Sequence, residues 1–218
     1  MVPIATEIIT RELTGKESPV PALEEKVIPY YGVKEAAFPF NMFPEVDPLL
    51  GPEMRSTGEV LGLSESYGEA FYKAQEAVQS KLPLSGTVLI SVNRKDKAEV
   101  VEVAKLFHEN NFRIIATEGT CQLINEAGIP AEKVKKLCEG RPNVLDEITN
   151  GKVDIIVNSP VGKDSVYDDS YLRKAAIKGR IPYCTTMAAA MAAATGIHAV
   201  NNLDGGKIAS LQEMHGRI

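Results

Sequence analysis

The side chains best placed to do chemistry in this 218-residue sequence stand directly behind short β-branched runs. Thr87 to Val92 is followed by Asn93-Arg94-Lys95-Asp96-Lys97, and Arg113 to Ala116 by Thr117-Glu118-Gly119-Thr120. Val153 to Val157 ends in Asn158-Ser159-Pro160, and Pro182 to Cys184 in Thr185-Thr186. Thr117-Glu118-Gly119-Thr120 has the chemistry of a phosphate cradle. Gly119 permits an unusual turn, Thr120 can cap the following helix, and the unpaired N–H groups at a helix start attract an anion. Lys97, and Lys136 in a third run at Val134 to Leu137, add positive charge. These residues point to a phosphate-monoester pocket built from Lys97, Thr117, Thr120, Lys136, Asn158, Ser159 and Thr185. Taken singly, each has an ordinary role as well: Thr120 or Thr185-Thr186 as helix caps, Asn158 as a turn cap, Lys97 as a solvated lysine. Their convergence on one sheet edge is what argues for a ligand.

Other chemistries find less support. His108, His198 and His215 are far apart, with no His-x-x-x-His or Cys-His pairing, so neither a metal site nor a catalytic dyad is expected. Cys121, Cys138 and Cys184 lack metal spacing, and their odd number suits free thiols in a reducing compartment, which makes the cytoplasm the expected location. A formal net charge of −5 argues against general binding to nucleic acid or acidic membranes. No stretch approaches a membrane span, and the first residues lack the layout of a signal peptide.

Two regions must hold these residues. Residues 1–81 open with an amphipathic helix in which Ile4, Ile8, Ile9 and Leu13 recur at helical spacing. They continue through a loop-rich stretch punctuated by Pro29, Gly32, Pro39, Pro44, Pro48, Gly51 and Pro52, and close with a second helix from about Ser66 to Ser80. From residue 82 to 218 the β-branched runs alternate with helices at Asp96 to Asn110, Thr120 to Ala127, Val144 to Asn150, Ser170 to Lys178 and Met187 to Ala194. Asp154-Ile155-Ile156-Val157 reads as a strand buried on both faces of a parallel sheet. The pattern predicts a doubly wound α/β domain whose ligand crevice lies at the carboxyl ends of its strands.

Longer motifs carry a family resemblance. Pro39-Phe40-Asn41-Met42-Phe43-Pro44 and Val46-Asp47-Pro48-Leu49-Leu50-Gly51-Pro52-Glu53-Met54-Arg55-Ser56-Thr57-Gly58-Glu59-Val60 resemble the end of the second ATP-grasp unit of carbamoyl-phosphate synthase large chains. Residues 82–218, with Glu139-Gly140-Arg141-Pro142, Asn150-Gly151 and Gln212-Glu213-Met214-His215, resemble the methylglyoxal-synthase-like allosteric domain that closes the same polypeptide. The resemblance implies a parent ligase that makes carbamoyl phosphate from bicarbonate, glutamine-derived ammonia and ATP with Mg2+ or Mn2+, for pyrimidine and arginine biosynthesis. Its partners would be the rest of the large chain and a glutaminase small chain. The metal-holding residues of that ATP site would lie upstream of Val2, so this piece is expected to hold no cofactor and no catalytic machinery, and Met1 to be a start inside a longer protein.

For the second domain the resemblance implies a pocket for UMP or IMP, with Lys97, Lys136, Thr117, Thr120 and Asn158 at the family's nucleotide-binding positions. Thr185 falls where some members contact ornithine. Glu118 stands where a histidine can occur, and Ser159-Pro160 replaces a threonine pair. A rival on the same fold is a phosphate lyase acting on dihydroxyacetone phosphate. Its Gly-Gly-Asp-Gln-Gln loop is replaced by Glu139-Gly140-Arg141-Pro142-Asn143, and the Asp-Pro at its fourth strand end by Ser159-Pro160, so the aspartates that would serve as carboxylate base in such chemistry are missing from their positions. A third reading is a module that only docks against the rest of a synthase.

Overall fold

A computed structural model describes residues 2–16, 27–42, 52–159, 166–202 and 208–218. They belong to two compact units, residues 1–29 with 209–218, and residues 30–208. The resemblance-bearing stretch 43–51 and Pro160 lie outside the described residues. In the first unit, α1 (Val2–Thr14) leaves Ile4, Ile9 and Leu13 exposed. The helix Leu211–His215 is capped by Ser210, whose hydroxyl accepts from the Glu213 N–H.

The second unit opens with an antiparallel pair, β1 (Tyr31–Ala37) and β2 (Gly58–Ser64), running in register from Tyr31 opposite Ser64 to Ala37 opposite Gly58. Sequence patterning reads this stretch as loop. Both strands are rich in glycine, alanine and charge, so they lack the alternation of large apolar residues that marks a strand. Their pairing is sustained instead by α2 (Tyr67–Ala77), whose Ser66 cap accepts from the Glu69 N–H. The helix lies so close to β2 that a Cβ on Gly62 would stand 2.1 Å from the Ala70 carbonyl oxygen.

The chain then alternates as patterning predicts: β3 (Gly86–Ser91), α3 (Val100–Glu109), β4 (Phe112–Thr117), α4 (Glu118–Glu126), β5 (Ala131–Val134), α5 (Val144–Thr149), β6 (Ile155–Asn158), α6 (Val166–Gly179), β7 (Tyr183–Cys184) and α7 (Met187–Asn201). The strands form one parallel sheet in the order β5-β4-β3-β6-β7. Successive residues of its central strands enter different cores. Val88, Ile90, Ile155 and Val157 pack with Phe107 of α3 and Ile197 of α7. Leu89 and Ile156 pack with Ile148 of α5 and Leu172 of α6. That two-sided burial is why the central strands read as unbroken apolar runs, and it establishes the doubly wound α/β class. The small faces of α2 and α7 meet closely: a Cβ on Gly68 would lie 2.7 Å from the Thr195 carbonyl oxygen. Thus β1, β2 and α2 share a compact unit with the parallel sheet, although composition changes near residue 82.

Several boundaries differ from expectation, with α6 beginning at Val166 rather than near Ser170 and α4 at Glu118 rather than at Thr120. The third strand of the sheet ends at Val134, so Lys136 is not within it. Asn125 anchors the strand early, its amide donating to the Ala131 carbonyl at 3.0 Å and its oxygen accepting from the Ala131 N–H at 2.9 Å. The helix expected from Asp96 begins as a 3-10 turn at Asp96–Ala98 before α3. Finally, α7 continues past Ala194 to Asn201, because Ile197 is fully buried against the core and rewards another turn.

Candidate functional site

Strand register gathers the polar residues. Ser91 lies opposite Asn158, Thr117 follows the Ala116 that faces Ile90, Thr117 faces Val134, and Val157 faces Cys184. Ser91, Thr117, Asn158, Ser159 and Thr185 therefore arrive at one edge of the sheet, with Lys136 two residues beyond Val134. The strand order reverses between β4 and β6, on either side of β3, which is where open α/β sheets leave a crevice for ligands. The two loops at that switch are tied together: the Asn93 N–H donates to the Ser159 hydroxyl at 2.9 Å, and the Ser159 N–H to the Ser91 carbonyl at 3.1 Å.

Thr117, Thr120, Asn158 and Ser159 are buried, Lys97 is half-buried, and Lys136 and Thr185 are exposed. The crevice thus has a floor of hydroxyls and amides and a cationic rim. Thr117 occupies the N-cap of α4, and its side chain makes no capping bond. Its hydroxyl turns to Ser91 instead, at 3.4 Å. Thr120, in the first turn of α4, is not the cap that its sequence position suggests. The first N–H groups of α4 therefore keep their affinity for an anion. Lys97 lies over this turn, its ammonium donating to the Gly119 carbonyl at 3.2 Å, and a Cβ on Gly119 would stand 2.9 Å from the same Nζ. Gly119 thus serves the approach of a lysine rather than an unusual backbone angle. Glu118, in the first turn of α4, forms an ion pair with Lys133, which holds the Lys133 ammonium above its usual pKa.

Asn158 is engaged on the protein side. Its amide nitrogen donates to Asp169 Oδ1 at 2.9 Å and to the Tyr183 hydroxyl at 2.6 Å. Burial pushes the Tyr183 phenol up to about 12, so it is neutral at physiological pH. Tyr183 also lines a cavity of about 340 Å3 behind β7, together with Glu35, Phe38, Phe40, Arg173 and Thr185. Phe38 and Phe40 stack with ring centroids 5.2 Å apart, and burial holds the Glu35 carboxyl above its ordinary pKa. Thr185 faces this cavity, while Thr186 caps α7, accepting from the Ala189 N–H at 3.1 Å. Of the seven residues read from the sequence, Thr117, Asn158 and Ser159 stand at strand ends on this edge, Thr120 lies in the first turn of α4 and Lys97 reaches that turn, Lys136 follows β5 by two residues with no hydrogen bond to the others among the described residues, and Thr185 lines the cavity. Ser91, Asp169, Tyr183 and Glu35 were not legible beforehand. Ser91 and Tyr183 sit inside strands, and Asp169 and Glu35 reach their partners only through packing. Among the described residues no cluster of His, Cys, Asp and Glu could hold a metal ion, and no helix is long and apolar enough to cross a membrane.

Residues 99–185 match the MGS-like domain family. The whole chain is similar to carbamoyl phosphate synthase large chains. It is 48% identical to that of Gemmatimonas aurantiaca over 88% of this chain and 18% of the relative, and 45% identical to that of Archaeoglobus fulgidus over 98% of this chain and 20% of the relative. It is also 42% identical to the "large chain, C-terminal section" of Methanopyrus kandleri, over 98% of this chain and 40% of that protein. The chain therefore spans about a fifth of the length of the undivided relatives. Among solved structures it is similar to methylglyoxal synthase from Elizabethkingia anophelis NUHP1, with a TM-score of 0.41 and 18% identity over 50% of this chain and 76% of that one.

Proposed function

Because the chain belongs to the family of carbamoyl phosphate synthase large chains and matches their C-terminal section, we propose that it is the regulatory end of such a synthase and binds a nucleoside monophosphate, UMP or IMP, at the crevice. The observation that carries this reading is the uncapped start of α4 beneath Lys97, flanked by the buried hydroxyls of Thr117, Thr120 and Ser159. Helix N–H groups and a lysine hold a phosphate without any proton transfer. Lys136 on the rim adds a second cation. The domain from residue 82 onward carries the sensor, and residues 1–81 serve as a structural remnant of the ATP-grasp unit. The parent enzyme makes carbamoyl phosphate with ATP and Mg2+ or Mn2+ in the cytoplasm, together with a glutaminase small chain, and none of that chemistry is assigned to this piece.

A second ligand has its own supporting observation. The cavity behind β7 is lined by Glu35 and Thr185 together with Arg173 and Arg180. An amino acid with a cationic side chain, ornithine, suits that combination. The lyase reading is disfavoured by the state of the acids near the edge: Glu118 is held by Lys133 and Asp169 by the Asn158 amide, so neither stands ready as a base.

Thermal unfolding with millimolar UMP, IMP or ornithine tests the reading. A ligand at 100 times its dissociation constant adds about 2.7 kcal/mol to the native state, a shift of several degrees. Absence of any shift with all three would leave the docking-only module standing, and phosphate release from dihydroxyacetone phosphate would establish the lyase.

A further inference from the structure

The carboxamide of Asn158 is aimed by its surroundings. Both amide hydrogens are used inside the protein, one on Asp169 Oδ1 at 2.9 Å and one on the Tyr183 hydroxyl at 2.6 Å. Asp169 decides which way round the group lies. A tyrosine hydroxyl can accept from the amide nitrogen or donate to the amide oxygen, but a carboxylate only accepts and would repel the oxygen of a flipped amide. Asn158 and Asp169 are each more than nine-tenths buried, so a flip would leave desolvated polar groups unpaired. The Asn158 Oδ1 is thereby turned to the other side. It accepts from no described residue, and it is not one of the fully buried atoms left without a partner, so it is open at the carboxyl end of β6.

The crevice therefore has two unlike halves. At the start of α4 the groups donate: the helix N–H groups, Lys97 and the hydroxyls of Thr117 and Thr120. Across Ser91, which lies opposite Asn158 and 3.4 Å from the Thr117 hydroxyl, Asn158 offers an acceptor. Thr117 and Asn158 stand on strands that flank β3, about 10 Å apart by the spacing of a sheet. An acceptor there cannot hold a phosphate, which is itself an acceptor. It suits a hydroxyl on the body of the same ligand.

Resting on the reading of the crevice as a nucleotide site, we propose that Asp169 is a specificity-determining positioning residue: by holding the Asn158 amide nitrogen it leaves only an acceptor facing the crevice, which selects a ribonucleotide over its deoxy form. With the phosphate at the start of α4, the nucleoside runs across Ser91 and a ribose hydroxyl donates to the Asn158 Oδ1. A deoxyribose would leave that oxygen covered and unpaired, which costs more than the hydrogen bond alone contributes. Asp169 itself touches no ligand. Its part is to set the direction in which the Asn158 group can pair.

The test is calorimetric titration of the 218-residue chain with UMP and IMP, and with the 2′-deoxy and 3′-deoxy form of each. In the wild-type chain, removing the hydroxyl that meets Asn158 should raise the dissociation constant by at least about fivefold. Asp169→Asn keeps the size of the side chain but can donate as well as accept, so the Asn158 amide is free to lie either way. In that variant the ratio of deoxy to ribo dissociation constants should fall to within about twofold of unity, below the smallest cost of an unmade buried hydrogen bond. Tyr183→Phe removes the partner that does not choose the orientation, and should keep the wild-type ratio. Because each ratio is formed within one protein, a general loss of affinity drops out. Should Asp169→Asn fail to fold, proton exchange in the wild-type chain decides: both Asn158 Nδ2 hydrogens should exchange slowly with solvent, with and without UMP. Equal affinity for ribo and deoxy forms in the wild-type chain, a full ratio surviving Asp169→Asn, a ratio lost equally in Tyr183→Phe, or fast exchange of those hydrogens overturns the role of Asp169 and leaves the nucleotide site intact. Failure of the wild-type chain to bind either nucleotide overturns the site itself, and the role of Asp169 with it.

Discussion

The crevice takes its polar groups from the ends of adjacent parallel strands, so Ser91, Thr117 and Asn158 are set side by side by backbone register alone. The cavity draws Glu35 from β1, Arg173 from α6 and Thr185 from behind β7, and depends on how β1, β2 and α2 pack. One site is written into the sheet and the other into packing. They should therefore break differently. A substitution that loosens packing should remove the cavity first, and one at a strand end should change a ligand's affinity while the fold stands.

The largest expected effect comes from Gly62→Ala. The added methyl would meet the Ala70 carbonyl oxygen at 2.1 Å and the Ala74 nitrogen at 2.7 Å, both backbone atoms that cannot swing aside. Overpacking of this kind costs about 3 kcal/mol, readable as a lower urea midpoint. Ornithine binding should fail in this variant while UMP still protects the sheet, and equal loss of both ligands would erase the contrast. Next is Lys97→Ala. Loss of a charge-assisted hydrogen bond of about 1.5–3 kcal/mol should weaken UMP by roughly 10- to 100-fold, with little change in the unfolding midpoint without ligand. Gly119→Ala is milder, since its Cβ meets only the flexible end of Lys97, 2.9 Å away. Titration should show UMP weakened by a few fold, about 1 kcal/mol, as the lysine is displaced from the helix start.

The cavity has its own signature in pH. Burial raises the Glu35 pKa above its ordinary 4.5, so the native chain holds that proton more tightly than the unfolded chain. Stability from this group is present below 4.5 and is lost as pH rises through the raised value, and Glu35→Gln should flatten that decline. Ornithine needs the ionised carboxylate, so its affinity should climb across the same window while UMP affinity does not follow Glu35. The smallest effect is chemical. Burial pushes the Cys184 thiol up to about 12, so a thiol reagent at mildly alkaline pH should label the exposed Cys138 at once and Cys184 only on unfolding.

The same contrast explains what could be read in advance. The apolar runs at Val88–Ile90 and Ile155–Val157 announce strands buried on both faces, and the residues just behind them must lie at the ligand edge. Lys97, Thr117, Thr120, Asn158 and Ser159 were legible for that reason. The strands β1 and β2 were not, because glycine, alanine and charge replace the large alternating residues and their stability comes from α2. Lys136 was misplaced by two residues when a short edge strand was anchored by Asn125 rather than by its own pattern. The engagement of Asn158 with Asp169 and Tyr183 depends on how α6 and β7 pack, which no local spacing encodes.

The most direct test of the central claim is equilibrium titration of UMP and IMP into the wild-type chain, Lys97→Ala and Lys136→Ala. The account predicts saturable binding of at least one nucleotide with 1:1 stoichiometry, weakened about tenfold or more by Lys97→Ala and by a smaller factor by the exposed Lys136→Ala. Binding that is unchanged in both variants would contradict a phosphate held at the start of α4.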